Sequence, residues 1–401
     1  MDTVSVEQAT ELILERIKAI DETEEIEVED ALGRILAEDM RSEFDNPPFD
    51  RSPIDGYACR SVDIAGASEE RPVRLKVVEE VYAGAYTDRE VRKGEAVRIM
   101  TGAPVPAGCD CCVRQEDTDY GEEVVRIFRP EKEWGNYCFR GEDFKAGSVL
   151  MKKGSRISFV EMGVLAGMGR GTVPVYRLPR VVILTTGDEV VTPGDPLLPG
   201  KIYDSNRMLL TGRLTELGVR PSLVRWVEDR PEAMADTLRE AAQKADLILT
   251  TGAVSVGKKD IMHEALKMAG AERVFWKVKV KPGMPTLFSV YQGVPVLSLS
   301  GNPFGVAAIV ELLVRPAIQK MKRDDSVRLV RVKGIMADTF PKPSKGRRLI
   351  RAYWENGMFH LPKGLHSNGV LASMIGCNCL IDMRPGDPEL KEGAPAEAIL
   401  L

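Results

Sequence analysis

Asp246-Leu-Ile-Leu-Thr-Thr-Gly-Ala-Val-Ser-Val-Gly-Lys-Lys-Asp260 is the stretch that decides the fold class. Leu247 to Leu249 form a short continuous apolar run between polar flanks, as a parallel strand buried on both faces requires. Thr250, Thr251, Gly252, Ser255 and Gly257 follow, small residues that let backbone N–H groups approach a ligand. A helix-like pattern of Ile261, Ala265, Leu266 and Met268 then starts behind Asp260, which reads as an N-cap. A strand, a small-residue turn and a helix N-terminus bind anions at the carboxyl edge of an open α/β sheet. The stretch carries no G-x-G-x-x-G, and by itself it reads equally well as an ordinary strand–helix connection.

The flanking text extends the pattern to β-α-β-α-β between Arg180 and about Met321. Val181 to Thr186 is a buried strand that ends in Gly187-Asp188-Glu189. Asp204-Ser205-Asn206 opens a helix with Leu209, Leu210, Leu214 and Leu217 inward and Gly218 as its stop. Leu223 to Val227 is a third strand, followed by Glu228-Asp229-Arg230 and Pro231 at a helix's first position. Beyond the opening stretch, Thr286–Val290 and Val294–Leu299 read as strands. Ser300-Gly301-Asn302-Pro303 then starts a long helix, with Asn302 able to cap it. Asp188, Glu189, Asp229 and Asp260 thus stand at strand ends, as oxygen ligands for Mg²⁺ bound with substrate phosphates would. Lys277, Lys279 and Lys281 alternate, so a strand would present all three on one face. That face is either an oxyanion site or an edge strand blunted by lysine.

The 401 residues are too many for one core and predict two to four domains. Charge is balanced toward acid, with 55 Lys and Arg against 60 Asp and Glu, which disfavours nucleic acid as a partner. No run reaches the ~18–20 apolar residues of a membrane span and no signal-peptide pattern stands at the start, so the expectation is cytoplasmic. Seven cysteines, an odd number in irregular spacing, suit reduced thiols. Cys109, Cys111 and Cys112 lack the spacing of a zinc site and read as small side chains filling a strand.

Toward the N-terminus, Ser5-Val-Glu-Gln8 is a capping box opening a helix to about Ile20, with Ala9, Leu12, Ile13 and Ile17 on one face. Asn46 to Ala58 carries three prolines, two aspartates and a glycine, an ordered irregular loop that serves either as a linker or a site. Val73 to Pro130 is β in pattern, and Thr101-Gly-Ala-Pro-Val-Pro106 leaves one of its strands. After residue 326 the pattern is β again, with strands expected at 327–333, 347–353, 358–361 and 380–383. The predicted fold class is therefore α/β plus β. A discontinuous N-terminal domain (1–45 and 141–177), an inserted β domain (46–140), an α/β domain with a parallel-rich sheet (178–326) and a β-barrel-like domain (327–401) make up the chain.

Pro48-Phe-Asp-Arg-Ser-Pro-Ile-Asp-Gly-Tyr-Ala58, Arg98-Ile-Met-Thr-Gly-Ala-Pro-Val-Pro106, Arg140-Gly-Glu-Asp143, Thr186-Gly-Asp-Glu189 and Tyr203-Asp-Ser-Asn206 stand in a fixed order. With the opening stretch, Lys281-Pro-Gly283 and Ser300-Gly-Asn-Pro303, they resemble the molybdopterin molybdenumtransferase (MoeA) family, related to the C-terminal part of gephyrin. The resemblance spans nearly the whole chain, and motifs of moderate specificity become very specific together when in register. It implies four domains with a pterin-binding α/β domain, a homodimer whose cleft is shared between subunits, and Mg²⁺-dependent insertion of molybdate into adenylylated molybdopterin with release of AMP. It places the family's functional carboxylates on Asp55, Asp143, Glu189, Asp229 and Asp260. The family's threonine falls on Thr101, its lysines on Lys277 and Lys281, its arginine on Arg351 and its serine on Ser367. Glu189, Asp229 and Asp260 are then the metal set, and Asp55 and Thr101 reach across from the partner subunit. The remaining motif residues, Gly187, Asp188, Asp204, Ser205, Asn206, Thr251, Gly252, Ser255, Gly257, Ser300, Gly301, Asn302 and Pro303, would hold the pterin substrate.

The chain departs from the family at Ala253 and Asn368, where glycine is usual, at Met284, where lysine is usual, and at Ser300, where proline is usual. Ala253 fits if its φ is negative, and Met284 removes a cation from an expected anion site. Two other readings stay open: a non-catalytic pterin-binding or scaffold protein, and a nucleotide pyrophosphate hydrolase. Acceptor proteins downstream are conceivable partners in the transferase reading.

Overall fold

The computed structural model describes residues 3–254, 261–364 and 367–401. They divide into two compact units, one of residues up to Glu24 together with Val175–Leu401, and one of Glu25–Pro174.

In the larger unit a six-stranded sheet carries the α/β domain. Its elements are β1 (Val181–Thr186), α1 (Ser205–Glu216), β2 (Leu223–Val227), α2 (Pro231–Ala242), β3 (Leu247–Thr251), α3 (Met262–Ala269) and β4 (Glu272–Trp276). A two-residue strand β5 (Val280–Lys281), then β6 (Leu287–Tyr291), β7 (Val294–Leu299) and α4 (Pro303–Ile309) complete it. The order across the sheet is β2-β1-β3-β7-β6-β4. The first four strands are mutually parallel; β6 pairs antiparallel with β7, and β4 pairs antiparallel with β6. Burial on both faces explains the unbroken apolar runs. Val181, Ile183, Leu247, Leu249, Leu297 and Leu299 point into one core with α1 and α4, while Val182, Leu184, Ile248 and Val296 point into another with α2 and α3. The β3 stretch is the central strand, as its sequence requires.

Local signals held at most helix ends. Asp204 caps α1 by accepting from the Arg207 N–H at 3.0 Å, and Pro231 occupies the first turn of α2. At α3 the inward residues are Met262, Ala265, Leu266 and Ala269, while Met268 is exposed, one position off the expected stripe. Asn302 precedes α4 but its side chain makes no capping bond; instead its N–H donates to Ser300 Oγ at 3.2 Å. The expected long helix runs on from α4 through a π turn (Val310–Val314) into α5 (Arg315–Lys322). Buried Glu311, in that π turn, receives Arg213 and Arg315 at 2.7 and 2.8 Å.

The lysine expectation fails. β4 ends at Trp276 and Lys277 has φ +75°, so the chain turns before Lys279 and Lys281 and the three do not line one strand face. A period of two assumes extended backbone, which a left-handed residue breaks.

The first helix spans Val6–Arg16 and has its capping box, but stops at Ile17 rather than Ile20. Its Val6, Ala9 and Ile13 pack into the core of the α/β domain, not with residues 141–177 as the sequence grouping expects. The last domain is β8 (Arg331–Met336), β9 (Arg347–Glu355), β10 (Met358–His360), β11 (Cys379–Met383) and β12 (Pro395–Leu400). The order β9-β10-β8-β12-β11, with β11 pairing back to β9, closes the barrel. Strand β12 was not expected, and β8 begins at Arg331 rather than residue 327. Strand β5 adds to this barrel, parallel to β9, with Val280 opposite Arg347 and Lys281 opposite Arg348.

The smaller unit holds a five-stranded sheet in the order 111–114, 56–59, 95–99, 73–81 and 124–127. Cys109, Cys111 and Cys112 are buried in it, and burial pushes the Cys112 thiol up to about 12. Gly56 begins its second strand where no larger residue fits, since an added Cβ would lie 1.8 Å from the Val113 carbonyl oxygen. Helix Phe159–Gly167, opened by a capping box at Ser158 and Glu161, buries Leu165 and leaves Phe159 80% exposed.

Candidate active site

The carboxyl ends of β1, β3 and β7 open into a cleft of about 570 Å³, lined by residues of the loops that follow them and of the entry to α1. Glu189, Asp204, Ser205, Asn206, Thr251, Gly252, Ser300, Gly301, Asn302 and Pro303, all expected site residues, line it. Asn206 is the hub of its floor. Its amide donates to Thr251 Oγ1 at 3.0 Å and to the Gly301 carbonyl at 2.9 Å, joining α1, β3 and the loop before α4. Thr251 Oγ1 donates in turn to the Ser300 carbonyl at 3.2 Å. Asn206 Oδ1 is buried with no partner among the described residues, an acceptor beside the cleft.

Gly252 has φ +99°, and an added Cβ would lie 2.3 Å from the Thr186 carbonyl oxygen. Two parallel strand ends can approach this closely only with glycine there. Ala253 follows at φ +48°, so the condition under which its methyl would be harmless is not met.

Gly187 and Asp188 form the turn between β1 and Glu189 without lining the cleft. The Gly187 carbonyl accepts from Trp226 Nε1 at 3.4 Å, and the Asp188 carbonyl accepts from Lys201 Nζ. Asp229, after β2, accepts from Thr186 Oγ1 at 3.2 Å, which ties this carboxylate to the end of β1. Ser255, Gly257 and Asp260 lie outside the described residues. Tyr203, the first residue of the Tyr203-Asp-Ser-Asn206 motif but given no role there, lines the cleft, as do Pro285 and Gly369 from loops distant in sequence.

Lys281 and Arg351 line a second, smaller cleft of about 40 Å³, together with Arg348 and Asn368. Arg351 is fully buried. Its guanidinium lies 3.8 Å over the Phe304 ring, donates to the Ser367 carbonyl at 2.8 Å, and also bonds the Val370 carbonyl and Ser373 Oγ. Burial lowers its pKa. Arg351 thus clamps the 367–373 loop, through which Ser367 contributes a carbonyl. Lys277 lines neither cleft and holds its ammonium 4.0 Å over the Trp276 ring.

In the smaller unit, Thr101 donates to Asp55 Oδ1 from both N–H and hydroxyl, each at 2.7 Å. The N–H and then the hydroxyl hold the Asp55 carboxyl below its ordinary range. Asp143 accepts from Asn46 Nδ2 at 2.9 Å. All three side chains are exposed, Asp55 and Thr101 as one pair and Asp143 on another loop.

An open parallel-rich sheet with small hydroxyl, amide and glycine groups in the cleft at its carboxyl edge is the arrangement of an α/β protein that binds a polar ligand there. Three family models match the chain: MoeA N-terminal region (domain I and II) over residues 4–169, probable molybdopterin binding domain over 182–320, and MoeA C-terminal region (domain IV) over 333–401. The molybdopterin molybdenumtransferase of Bacillus subtilis (strain 168) is 35% identical over 387 residues, 95% of this chain and 90% of that one. That of Staphylococcus aureus (strain COL) is 35% identical over 378 residues, 94% and 90% respectively. A molybdopterin biosynthesis MoeA protein from Pyrococcus horikoshii OT3, solved as a crystal structure, shares 31% identity and a TM-score of 0.80, with 100% of each chain covered. The chain belongs to the molybdopterin molybdenumtransferase (MoeA) family and is an enzyme of molybdenum cofactor biosynthesis.

Proposed function

We propose that this enzyme inserts molybdate into adenylylated molybdopterin and releases AMP, with Mg²⁺ at the phosphates. The observation that carries this reading is the 570 Å³ cleft, which offers glycine-lined backbone and neutral donors for a large polar ligand beside the Glu189 carboxylate. The pterin brings its own dithiolene sulfurs as metal ligands, so the protein needs no nucleophilic cysteine. Its task is to orient the phosphoanhydride and hold the oxyanion.

Glu189 and Asp229 would hold Mg²⁺, with Asp260 as the third carboxylate in the reading. The donor set fits: oxygen ligands at neighbouring strand ends, with Thr186 orienting Asp229, suit a cation that keeps waters and substrate phosphates as its other ligands. When bound, Mg²⁺ neutralises charge on the phosphates. Asn206 and Thr251 position the ligand on the cleft floor, and Lys281 and Arg351 hold the oxyanion in the smaller cleft.

The same reading makes the protein a homodimer in which Asp55 and Thr101 of one subunit serve the cleft of the other. The apolar exposed side of helix Phe159–Gly167 supports association. We keep the four-domain division as part of this reading, with the first helix moved to the α/β domain, and a cytoplasmic location. Among the described residues no helix is long and apolar enough to cross a membrane.

The test is AMP release from adenylylated molybdopterin by purified protein with Mg²⁺, with and without molybdate, beside Glu189→Gln and Thr101→Ala. Molybdate-stimulated release, reduced at least tenfold in both variants, is the expected result. Equal release without molybdate would make the enzyme a pyrophosphate hydrolase. Tight pterin binding with no release would make it a binding protein.

A further inference from the structure

We propose that Arg348 is a third cation of the smaller cleft and governs which oxyanion that cleft accepts; the inference rests on the transferase reading for the oxyanion's role. Strand pairing sets Lys281 directly opposite Arg348, on β5 and β9. Paired strands lie about 4.8 Å apart. Two cationic residues opposite each other on paired strands gain from a counter-charge at the shared edge. Arg351 lines the same cleft, and among the described residues no aspartate or glutamate does.

The neighbouring cations are handled differently. Arg347 pairs with Asp382 at 2.7 Å and with Glu7 at 2.5 Å, and Arg331 pairs with Asp382 at 2.9 Å and Glu397 at 3.0 Å. Arg348, which lines the cleft, forms no ion pair with a described residue. Its Nε is buried without an acceptor among the described residues, as is the Nε of fully buried Arg351. Such donors are costly to bury unless something accepts from them. The Phe340 ring, 5.7 Å from the Arg348 guanidinium carbon, backs that group at the cleft wall.

The chemistry of the missing acceptor follows. It must be anionic, because three cationic residues line the cleft and no described carboxylate does. It must be small, because about 40 Å³ excludes a pterin or purine ring. It must present several oxygens, because the free donors come from separate side chains. A tetrahedral dianion such as molybdate, tungstate or sulfate meets all three conditions, and a guanidinium offers it a forked pair of donors. A monoanion leaves more of the repulsion uncompensated, so Arg348 favours dianions.

The experiment is equilibrium binding of molybdate, tungstate and sulfate to the full chain. Wild type is compared with Arg348→Gln, Arg348→Lys and the exposed control Arg384→Gln. Molybdate half-saturation in AMP release is measured in parallel. Losing a charged donor pair should weaken dianion binding on the order of ten- to a hundredfold. It should also lessen the salt dependence of binding and narrow the preference for dianions over nitrate. Arg348→Lys should recover part of the affinity and Arg384→Gln should match wild type. Unchanged molybdate binding and half-saturation in folded Arg348→Gln would overturn the proposal and leave the transferase reading intact. So would failure of wild type to bind any of the three anions in either assay. Arg348-dependent binding without AMP release would instead sink the transferase reading and keep the anion site.

Discussion

Ala253 and Gly252 stand side by side at the mouth of the main cleft and answer opposite questions about their backbone. Both have positive φ, +48° at Ala253 and +99° at Gly252, but only one is glycine. An L-residue in the left-handed region costs roughly 1 kcal/mol relative to glycine. Ala253→Gly should therefore raise unfolding free energy by about 1 kcal/mol in urea titrations. Gly252→Ala should lower it by more, and should weaken pterin binding, because its methyl collides with the Thr186 carbonyl oxygen. Much of the site was legible at this scale. Glu189, Asp204, Asn206 and Thr251 were found because strand ends and caps leave local marks in sequence. The Lys277 backbone was not, since counting alternate residues cannot reveal a φ of +75°. Nor was Arg348, whose meaning depends on a strand partner far away in the chain.

Among the elements, β3 is held at its start as well as shaped at its end. Asp246, only 14% exposed in its side chain, accepts from Arg177 at 2.6 Å and Arg180 at 3.0 Å, and also from the Arg180 N–H at 2.7 Å. Burial by itself would raise its pKa, yet the bonds from Arg180 and Arg177 prevail and hold it at about 2. The folded value lies below the unfolded value near 3.9. The stabilisation is therefore fully present above about pH 4 and is lost as pH falls through 2, at most about 2–3 kcal/mol. Asp246→Asn should be less stable than wild type at pH 7, and the gap should close between about pH 4 and pH 2 in denaturant titrations. In sequence Asp246 read only as a polar flank. Its partners, Arg177 and Arg180, stand in the lead-in to the neighbouring strand β1 and are invisible to a window around β3. The strands and helices themselves were legible, because a doubly covered sheet writes apolar runs and its helices write caps. Strand β12, with its two alanines and one proline, writes neither.

For the whole molecule, the two units own separate cores, and the division into an α/β body, a barrel and an inserted sheet could be read from shifts in pattern. The place of the first helix could not, since an amphipathic stripe says that a face is buried and not against what. The homodimer in the proposed function predicts that Phe159→Glu, a change on a helix surface, lowers the sedimenting mass to that of one chain. Its circular dichroism should match wild type. A mass unchanged from wild type would remove this helix from the interface.

Strand β5 gives the barrel two residues that the chain laid down before the barrel's own sequence begins. Recombining relatives at the obvious seam near residue 326 would leave one parent's Lys281 beside the other parent's residue at 348. Such a hybrid would keep every domain whole and still carry a mismatched seam. The heritable unit of this barrel is therefore longer than the stretch that folds into it, and a crossover that respects it must fall before Val280.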